Sequence, residues 1–326
     1  SGNFLTESYL SLRKLENRVI EDLQGDQMGL GLDGDAEPIE VSINQFYGIE
    51  INDFAVSVAK TALWIAEEQM MEATQEILLR EFDFLPLKSN SNIREGNALR
   101  MNWSEVLPAE RCSYIIGNPP FVGASMCAAS QKQEIVDLFG EIKLSNSLDY
   151  VSGWYYKAAE MMLANAAIKA AFVSTNSITQ GEQVYPIWNT LRSRFGIHID
   201  FAWRTFVWNS ETAGKAHVHC VIVGFSIGGG EGLIFDGGRS DGASSDRRDV
   251  VNPYLVYAPW VILASRKRPL CDVPALAYGN KPADNGQFVL TTEEKDELLA
   301  EEPEALRLKQ ELPERYSRLR RKSAML

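Results

Sequence analysis

The chain has 326 residues, a hydrophobic fraction of 45% and a formal net charge of −12 at pH 7. This length and composition are those of a globular protein with one large domain and part of another, and no apolar run approaches the ~20 residues of a membrane-spanning helix. The acidic balance is unfavourable for binding nucleic acid, although the segments 265–269 and 315–322 are basic.

Strand-like and helix-like segments alternate along the chain as far as about residue 200. Strands are predicted over 46–51, 91–99, 112–117, 169–177, 198–206 and 216–225. Helices are predicted over 3–23, 52–70, 130–139, 149–165 and 182–195. Such alternation predicts an α/β fold with a doubly wound parallel sheet. The last two strands have no helix between them, which predicts an antiparallel edge pair.

The composition of the chain changes after residue 225. Residues 228–249 are rich in Gly, Ser and Asp, which is typical of a linker or a long loop, whereas residues 253–326 are mixed and punctuated by proline. We therefore expect a second domain to begin at residue 253. The chain starts without methionine, so we expect it to be cut from a longer protein.

The cysteines and histidines do not suggest a metal site. The four cysteines are scattered without a CxxC pair, which argues against zinc or a disulfide framework and favours a reducing compartment. His217 and His219 alternate on a predicted strand and so share a face, but no third ligand accompanies them. We therefore predict that the protein holds no metal ion.

Glu50 lies at the end of an early predicted strand. In a doubly wound sheet, ligands bind beyond the carboxyl ends of the strands, and an acid there can accept hydrogen bonds from the ribose hydroxyls of a nucleotide-like cofactor. An acid in this place can also be a helix-start group or an ordinary surface group. The ribose-binding role of Glu50 is favoured over these alternatives because a second polar strand end follows in the chain.

That second strand end is the turn Asn118-Pro119-Pro120-Phe121. Two consecutive prolines make the turn rigid. The Asn118 side-chain oxygen and the Pro119 carbonyl could hold the two N–H groups of an adenine amine, localise its lone pair and aim it at an electrophilic methyl group. Phe121 could stack on an extruded base. The alternative interpretation is a stiff structural turn with Phe121 buried in the core.

In this setting the chain resembles the S-adenosylmethionine-dependent DNA methyltransferases that make N6-methyladenine. The resemblance covers about residues 1–226 and is carried by "SGNF" (1–4), "YGIEI" (47–51), "GNAL" (96–99) and "IIGNPPF" (115–121), with "FVSTNSI" and "AHVHCVIVGF" as later strands. The order of these motifs is similar to the gamma arrangement. More narrowly, the chain resembles the large single-polypeptide methylases of restriction-modification and phage-defence systems.

The resemblance implies a Rossmann-like methyltransferase sheet and a set of site residues. The implied catalytic residues are Asn118, Pro119, Pro120 and Phe121. The implied cofactor-binding residues are Gly2, Asn3, Phe4, Glu50, Ile51, Asn97, Ala98 and Leu99. It also implies that residues 1–252 form an amino-terminally truncated methyltransferase domain, and that residues 253–326 begin a truncated target-recognition domain.

Two departures from the family pattern matter for the cofactor. The first strand and most of the Gly-rich cofactor loop are absent, so we expect this chain alone to bind S-adenosylmethionine weakly or not at all. Asn97 stands where an Asp is usual, and its amide oxygen can still accept a hydrogen bond from the cofactor's adenine amine, although without charge assistance.

The resemblance implies methyl transfer to N6 of a flipped adenine in double-stranded DNA, in the bacterial cytoplasm at the nucleoid and together with restriction or defence subunits. Cytosine-C5 methylation would need a nucleophilic cysteine, usually in a Pro-Cys pair, and the chain has no such dipeptide.

Two alternatives to DNA methylation remain. One is a methyltransferase acting on a protein glutamine or an RNA base, and the other is a non-catalytic DNA-specificity module. Residues 123–140, which follow the turn, are interpreted as a mobile lid or a simple connection.

Overall fold

A computed structural model describes residues 2–26, 39–78, 92–140, 142, 147–208, 218–229, 232–236, 250–264, 271–272 and 291–303. The helices are α1 (Asn3–Asp26), α2 (Asp53–Leu78), α3 (Ala129–Phe139), α4 (Ser152–Ala164), α5 (Val184–Phe195) and α6 (Thr292–Glu301). The strands are β1 (Gly48–Glu50), β2 (Ile93–Glu95), β3 (Tyr114–Gly117), β4 (Lys169–Thr175), β5 (Ile197–Trp208), β6 (Val218–Ile227) and β7 (Leu233–Phe235). The predicted α/β fold is confirmed.

The strands form two sheets. β1 and β2 pair in parallel as a two-stranded sheet, and the other five strands form a sheet of order β3-β4-β6-β5-β7. Within the larger sheet β6 alone runs antiparallel to its neighbours, so the carboxyl ends of β3, β4 and β5 lie along one edge. The antiparallel pair predicted from the sequence is β5 with β6.

The short strand β7 lies in the segment that was interpreted as a linker. It pairs in parallel with β5 and therefore becomes the edge of the sheet, with the β5–β6 pair one strand further in. The side chain of Ile234 is buried there. Three apolar residues between glycine-rich stretches are enough to add an edge strand, and the surrounding composition conceals them.

β6 is central because its residues are apolar on both faces. Val221, Val223 and Phe225 on one face and Cys220 on the other are fully buried, and the phenol ring of Tyr155 on α4 stacks on Phe225 with ring centroids 5.1 Å apart. A strand that is covered on both faces reads as a nearly continuous apolar run rather than as an alternating one. This strand and its neighbours support the largest core of the protein.

The two-stranded sheet is covered by α1 and α2. Leu63 of α2, Tyr9 of α1 and Ile93 of β2 belong to one small buried cluster. A polar seam joins the two helices, because the buried Arg13 donates to the Thr74 hydroxyl at 2.7 Å. The two sheets therefore have separate apolar cores.

β3 is an edge strand in the described part of the chain. It pairs with β4, and two of its alternate side chains, Tyr114 and Ile116, are exposed to 73% and 43%. β1 likewise pairs with β2 among the described residues. Each sheet thus presents an open strand edge next to one of the motifs that were identified in the sequence.

The chain separates into two compact units, Ser1–Ser265 and Arg266–Leu326. Residues 250–264 pack in the first unit, where Leu255 is buried and its carbonyl accepts a hydrogen bond from Arg204 at 3.1 Å. In the second unit α6 begins with a capping box between Thr291 and Glu294. The domain boundary expected at 252/253 stays a prediction.

Among the described helices, none combines the length and the apolar character that crossing a membrane requires. The basic segments 265–269 and 315–322, and also His217, lie outside the described residues.

Candidate active site

The turn Asn118–Phe121 follows β3 at the carboxyl edge of the five-stranded sheet. The Pro120 carbonyl accepts a hydrogen bond from the Val122 N–H at 3.1 Å, which tightens the turn. Within the described part of the chain, neither the Asn118 side chain nor the Pro119 carbonyl has a hydrogen-bond partner, and Asn118 is exposed. Two acceptors, one on the exposed Asn118 side chain and one on the backbone of the buried Pro119, are therefore left for a ligand with two N–H groups.

Phe121 is half-buried and lies outside the large core. Its neighbour Val122 packs against that core, but Phe121 is not among the side chains that do so. The interpretation of a purely structural turn required Phe121 to be part of the core. An aromatic ring in this position retains a face that can stack on a planar ligand.

The end of β1 lies beside the start of the 96–99 turn. Glu50 pairs with Glu95 in the parallel ladder, and the Gly96 N–H donates to the Glu50 carbonyl at 2.8 Å. The half-buried Glu50 carboxylate also accepts the Asn52 N–H at 3.2 Å. Two of the sequence-predicted cofactor elements are thus brought together by strand pairing, whereas Ile51 points away as an exposed side chain.

Asn97 is held at both ends of its side chain. Its Oδ1 accepts the Leu99 N–H at 2.9 Å, and its Nδ2 donates to the Glu134 carboxylate of α3 at 2.9 Å. The sequence predicts that this amide oxygen accepts a hydrogen bond from the adenine amine of the cofactor. In the structure, its first hydrogen bond comes instead from Leu99 and shapes the turn. One lone pair of the oxygen remains for a ligand.

Ala98 and Leu99 serve the turn and the core. The Ala98 carbonyl accepts the Trp103 indole N–H at 2.8 Å, and Leu99 is buried in the large core. A Cβ on Gly153 of α4 would lie 2.8 Å from the Leu99 side chain, so the glycine allows α4 to approach this turn. We see no exposed side chain at either position that could contact a cofactor.

Gly2, Asn3 and Phe4 begin α1. Gly2 has a φ of +80°, and a Cβ there would lie 2.5 Å from the Cβ of Ala59 on α2, so close helix packing explains this glycine. Asn3 and Phe4 are exposed. The Leu5 side chain lies next to Gly48, since a Cβ on that glycine would be 3.2 Å from it, and this contact puts the start of α1 close to β1.

A continuous series of hydrogen bonds joins the turn to the cofactor elements. The Tyr150 N–H donates to the Val122 carbonyl at 2.9 Å, and the Tyr150 hydroxyl donates to the Glu134 carboxylate. Glu134 in turn holds Asn97 and accepts the Arg100 Nε–H at 2.6 Å. The 96–99 turn therefore contacts the buried Glu134 carboxylate directly, and the segment after the Asn118–Phe121 turn is linked to it through Tyr150.

Sequence reasoning missed three buried polar residues of this region: Glu134, Asp149 and Tyr150. Burial raises the pKa of the Tyr150 phenol, and its hydrogen bond to Glu134 raises that pKa further, so the phenol stays a proton donor. The signal in the sequence was an Asp-Tyr pair immediately before a helix, which resembles an ordinary helix start. Glu134 sits on α3, whose Ile135 and Phe139 are also buried, so this helix packs into the fold. The interpretation of residues 123–140 as a mobile lid stays a prediction.

Cys127, the first cysteine after the Asn118–Phe121 turn, has a thiol of low reactivity. Burial raises the pKa of Cys127, and the Asp149 charge raises it further. The Cys127 Sγ–H donates to the Val122 carbonyl at 3.7 Å. Among the described residues, no group of three or more His, Cys, Asp or Glu side chains is arranged to hold a metal ion.

The chain is similar to several known proteins. Residues 1–236 match the family model "MmeI, DNA-methyltransferase domain", and residues 257–312 match "MmeI, target recognition domain". DNA methyltransferase A of Bacillus subtilis is 39% identical over 312 residues, which are 93% of this chain and 34% of that protein. A putative type II restriction enzyme and methyltransferase of Methanocaldococcus jannaschii is 31% identical over 123 residues, which are 36% of this chain and 9% of that protein.

A solved structure shares the fold. The type IIL restriction-modification enzyme MmeI, determined in complex with DNA, superimposes with a TM-score of 0.78 at 42% identity, over 93% of this chain and 40% of that one. The chain thus spans about a third of the length of its Bacillus relative. On these matches, the chain belongs to the MmeI-type DNA-methyltransferase family.

Proposed function

We propose that this chain carries the catalytic domain of a site-specific DNA methyltransferase that methylates N6 of adenine in double-stranded DNA. The observation that carries the proposal is the pair of uncommitted acceptors at the end of β3, the Asn118 side-chain oxygen and the Pro119 carbonyl. An exocyclic amine has two N–H groups, and two fixed oxygens can hold both of them. Preorganised acceptors of this kind stabilise charge that develops on the amine.

The base that presents this amine has to leave the duplex, because the amine is otherwise paired and stacked. Phe121 supports a flipped base in our proposal, since its half-buried ring stands outside the core beside the two acceptors. The prolines hold the acceptors still during the reaction. The thiol of Cys127 is protonated and buried, so a covalent thiol route has no support here.

The residues at the end of β1 fit S-adenosylmethionine as the methyl donor. The Glu50 carboxylate stands at a strand end, where it could accept ribose hydroxyls, and the 96–99 turn adjoins it through the Gly96 N–H. Together with Asn97, these groups would hold the nucleoside part of the cofactor. Bound S-adenosylmethionine supplies an electrophilic methyl group, and the Asn118–Phe121 turn orients the amine toward it.

The wider setting is also proposed. The family match of residues 257–312 and the solved relative in complex with DNA support double-stranded DNA as the partner of the whole protein. They also support a restriction-modification role, with cleavage or further recognition in other parts of the protein or in partner subunits. We propose residues 1–252 as the methyltransferase domain, 253–326 as the start of the target-recognition domain, and the bacterial cytoplasm as the location.

The experiment uses the full-length protein with methyl-labelled S-adenosylmethionine and duplex DNA, followed by nucleoside analysis. We expect label in N6-methyladenine, and Asn118→Ala should slow its formation by about 10²–10³-fold, the size typical of removing one preorganised hydrogen-bonding group. Asn189→Ala, at an exposed position on α5, is the matched control and should leave the rate unchanged.

Other outcomes would replace the proposal. Label in protein glutamine or RNA, with none in DNA, would favour the related methyltransferases of those substrates. Specific DNA binding without methyl transfer would indicate a non-catalytic specificity module. Label in N4-methylcytosine would keep the site but change the base.

A further inference from the structure

Asp149 is a buried carboxylate directly ahead of α4, and it contacts three separate segments of the chain. Its Oδ1 accepts the Ala124 N–H at 2.9 Å, and its Oδ2 accepts the Ser177 hydroxyl. Its own N–H donates to the Gln183 side chain at 2.9 Å. No Lys or Arg forms an ion pair with it in the described part of the chain, so its charge is held by hydrogen bonds.

These contacts connect the ends of two neighbouring strands. Ala124 lies three residues beyond Phe121, on the segment that leaves β3, and Ser177 lies just beyond β4. The Ser177 hydroxyl also bonds to the Thr175 hydroxyl at 2.8 Å, and because Ser177 donates to Asp149, Thr175 is the donor of this second bond. The last residue of β4 is therefore connected to the turn segment through one carboxylate.

The neighbouring residue strengthens the same connection. The Tyr150 N–H donates to the Val122 carbonyl at 2.9 Å, so residues 122 and 124 are both held by the Asp149–Tyr150 pair. The Cys127 thiol donates to the same Val122 carbonyl from below. The segment that follows Phe121 is thus held by three hydrogen bonds, two at the Val122 carbonyl and one at the Ala124 N–H. The acceptors of Asn118 and Pro119 have no hydrogen-bond partner among the described residues.

We propose that Asp149 is a positioning residue for methyl transfer. By holding Ala124 against Ser177, it sets the height and tilt of the Asn118–Phe121 turn relative to the sheet edge, and so keeps the two acceptors aimed at the amine. This inference rests on the proposed function. Burying the Asp149 carboxylate without an ion-pair partner costs free energy. If this position served packing alone, an apolar side chain would be more stable there.

The test compares Asp149→Ala and Asp149→Asn in the full-length protein. A displacement of about 1 Å at a reacting group can slow a reaction about a hundredfold, so Asp149→Ala should lower the single-turnover methylation rate by about that factor. The KM for S-adenosylmethionine should stay within about twofold, since the contacts of Glu50 and Asn97 are not touched. Asp149→Asn should recover most of the rate, because its amide oxygen can still accept Ala124 N–H and its amide nitrogen can donate to Ser177.

A matched control removes the same chemistry elsewhere. Asp200 of β5 accepts the Ser226 hydroxyl of β6 at 2.9 Å, towards the opposite edge of the sheet. Asp200→Ala should change the thermal unfolding of the protein without slowing methylation. If Asp200→Ala slows methylation as much as Asp149→Ala does, or if Asp149→Ala methylates like the wild type, Asp149 has a general structural role and the inference is wrong.

A second readout does not depend on methylation. The alkylation rate of Cys127, followed by peptide mass spectrometry, should rise more in Asp149→Ala than in Asp149→Asn. Both variants lose the charge that raises the Cys127 pKa, but only Asp149→Ala loosens the segment beside the thiol. The buried Cys220 should stay protected in both variants. A wild-type protein that fails to methylate DNA would refute the proposed function, and the Cys127 rates would still decide whether Asp149 holds the turn.

If Asp149→Ala does not fold, Ser177→Ala is the substitute variant. It removes one of the two hydrogen bonds that the Asp149 carboxylate accepts, and it should slow methylation several-fold and raise Cys127 alkylation. Unchanged values in that variant would overturn the inference.

Discussion

The two sheets of the first compact unit are supported very differently, although both carry residues of the candidate active site. Around the five-stranded sheet, which we call the five-stranded region (residues 109–264), the buried apolar side chains form a cluster of thirty-three residues, one of which, Leu99, lies in the 96–99 turn outside this range. Around β1, β2, α1 and α2, which we call the two-stranded region (residues 2–78 and 92–101), the corresponding cluster has seven residues. These numbers count the described residues.

Exposed apolar side chains sharpen the contrast. One face of α1 presents a stripe of exposed apolar residues at helical spacing: Leu12, Leu15, Val19 and Leu23. Most side chains of α4 and α5 in the five-stranded region are instead buried. The Asn118–Phe121 turn therefore stands on a densely packed base, whereas the proposed cofactor residues Gly2–Phe4 and Glu50 stand on a thin one. We infer that the geometry of the turn can persist when the cofactor region changes.

The largest expected effect is the loss of the indole at the centre of the five-stranded region. Trp188 is fully buried, and its Nε1–H donates to the Ile178 carbonyl at 2.8 Å. Trp188→Ala should lower the free energy of unfolding by about 4 kcal/mol, the usual cost of deleting a buried large side chain, and should remove the hydrogen-exchange protection of β6 amides. Denaturant titration with hydrogen-exchange mass spectrometry measures both.

Leu63→Ala is the matched change in the two-stranded region, where Leu63 is also fully buried. It should cost about 3 kcal/mol or less, and the loss of protection should be confined to α1, α2 and β1. Equal loss of protection in both regions after either substitution would show that they unfold as one unit, and the comparison would then fail.

The next effect concerns cofactor affinity. Residues Gly2–Phe4 resemble only the end of the family's cofactor loop, and β1 and β3 each have one paired edge among the described residues. Residues 1–326 alone should therefore bind S-adenosylmethionine at least about a hundredfold more weakly, about 3 kcal/mol, than a version extended to include the loop and its strand. Calorimetry compares the two, with Glu50→Ala in the extended version as a control that should lose affinity. Micromolar affinity of residues 1–326 would contradict this expectation.

The sequence predicted the elements of the five-stranded region well because their signals are local. β4 and β6 are continuous apolar runs, and α5 ends at Gly196, whose φ of +71° suits a helix terminus. The turn after β3 was equally legible, since paired prolines exclude most other structures. Only β7 was missed in this sheet, because three apolar residues carry too little periodicity to be recognised inside a glycine-rich segment.

The buried polar network could not be predicted in the same way. Asn97, Glu134 and Tyr150 are separated by 37 and 16 residues in the chain and meet only after α3 packs behind the 96–99 turn. Nothing in the local pattern around Glu134 distinguishes it from the solvent-facing acids of an amphipathic helix. Roles that depend on which side chains meet across the fold are invisible to spacing alone.

The smallest expected effect tests the junction of the two regions, at Asn97. An Asp is usual at this position in the family that the sequence resembles, so Asn97→Asp would seem to restore a missing charge. The structure predicts the opposite, because Asn97 Nδ2 donates to a Glu134 carboxylate that is already buried. The new carboxylate would lose that bond and face a like charge, and we expect the free energy of unfolding to fall by about 2 kcal/mol in denaturant titrations at pH 7.

A double-mutant cycle decides whether Glu134 is the reason. Glu134→Gln supplies an amide N–H to the introduced carboxylate, and Arg100, whose Nε lies 2.6 Å from the present Glu134 oxygen, can pair with it as well. The double variant Asn97→Asp/Glu134→Gln should therefore regain at least about 1 kcal/mol relative to the sum of the single changes. Asn97→Ala is the control that removes the hydrogen bonds without adding charge. If the two single substitutions are additive, Asn97 and Glu134 are not coupled. In that case, the two regions meet at Asn97 without an energetic link.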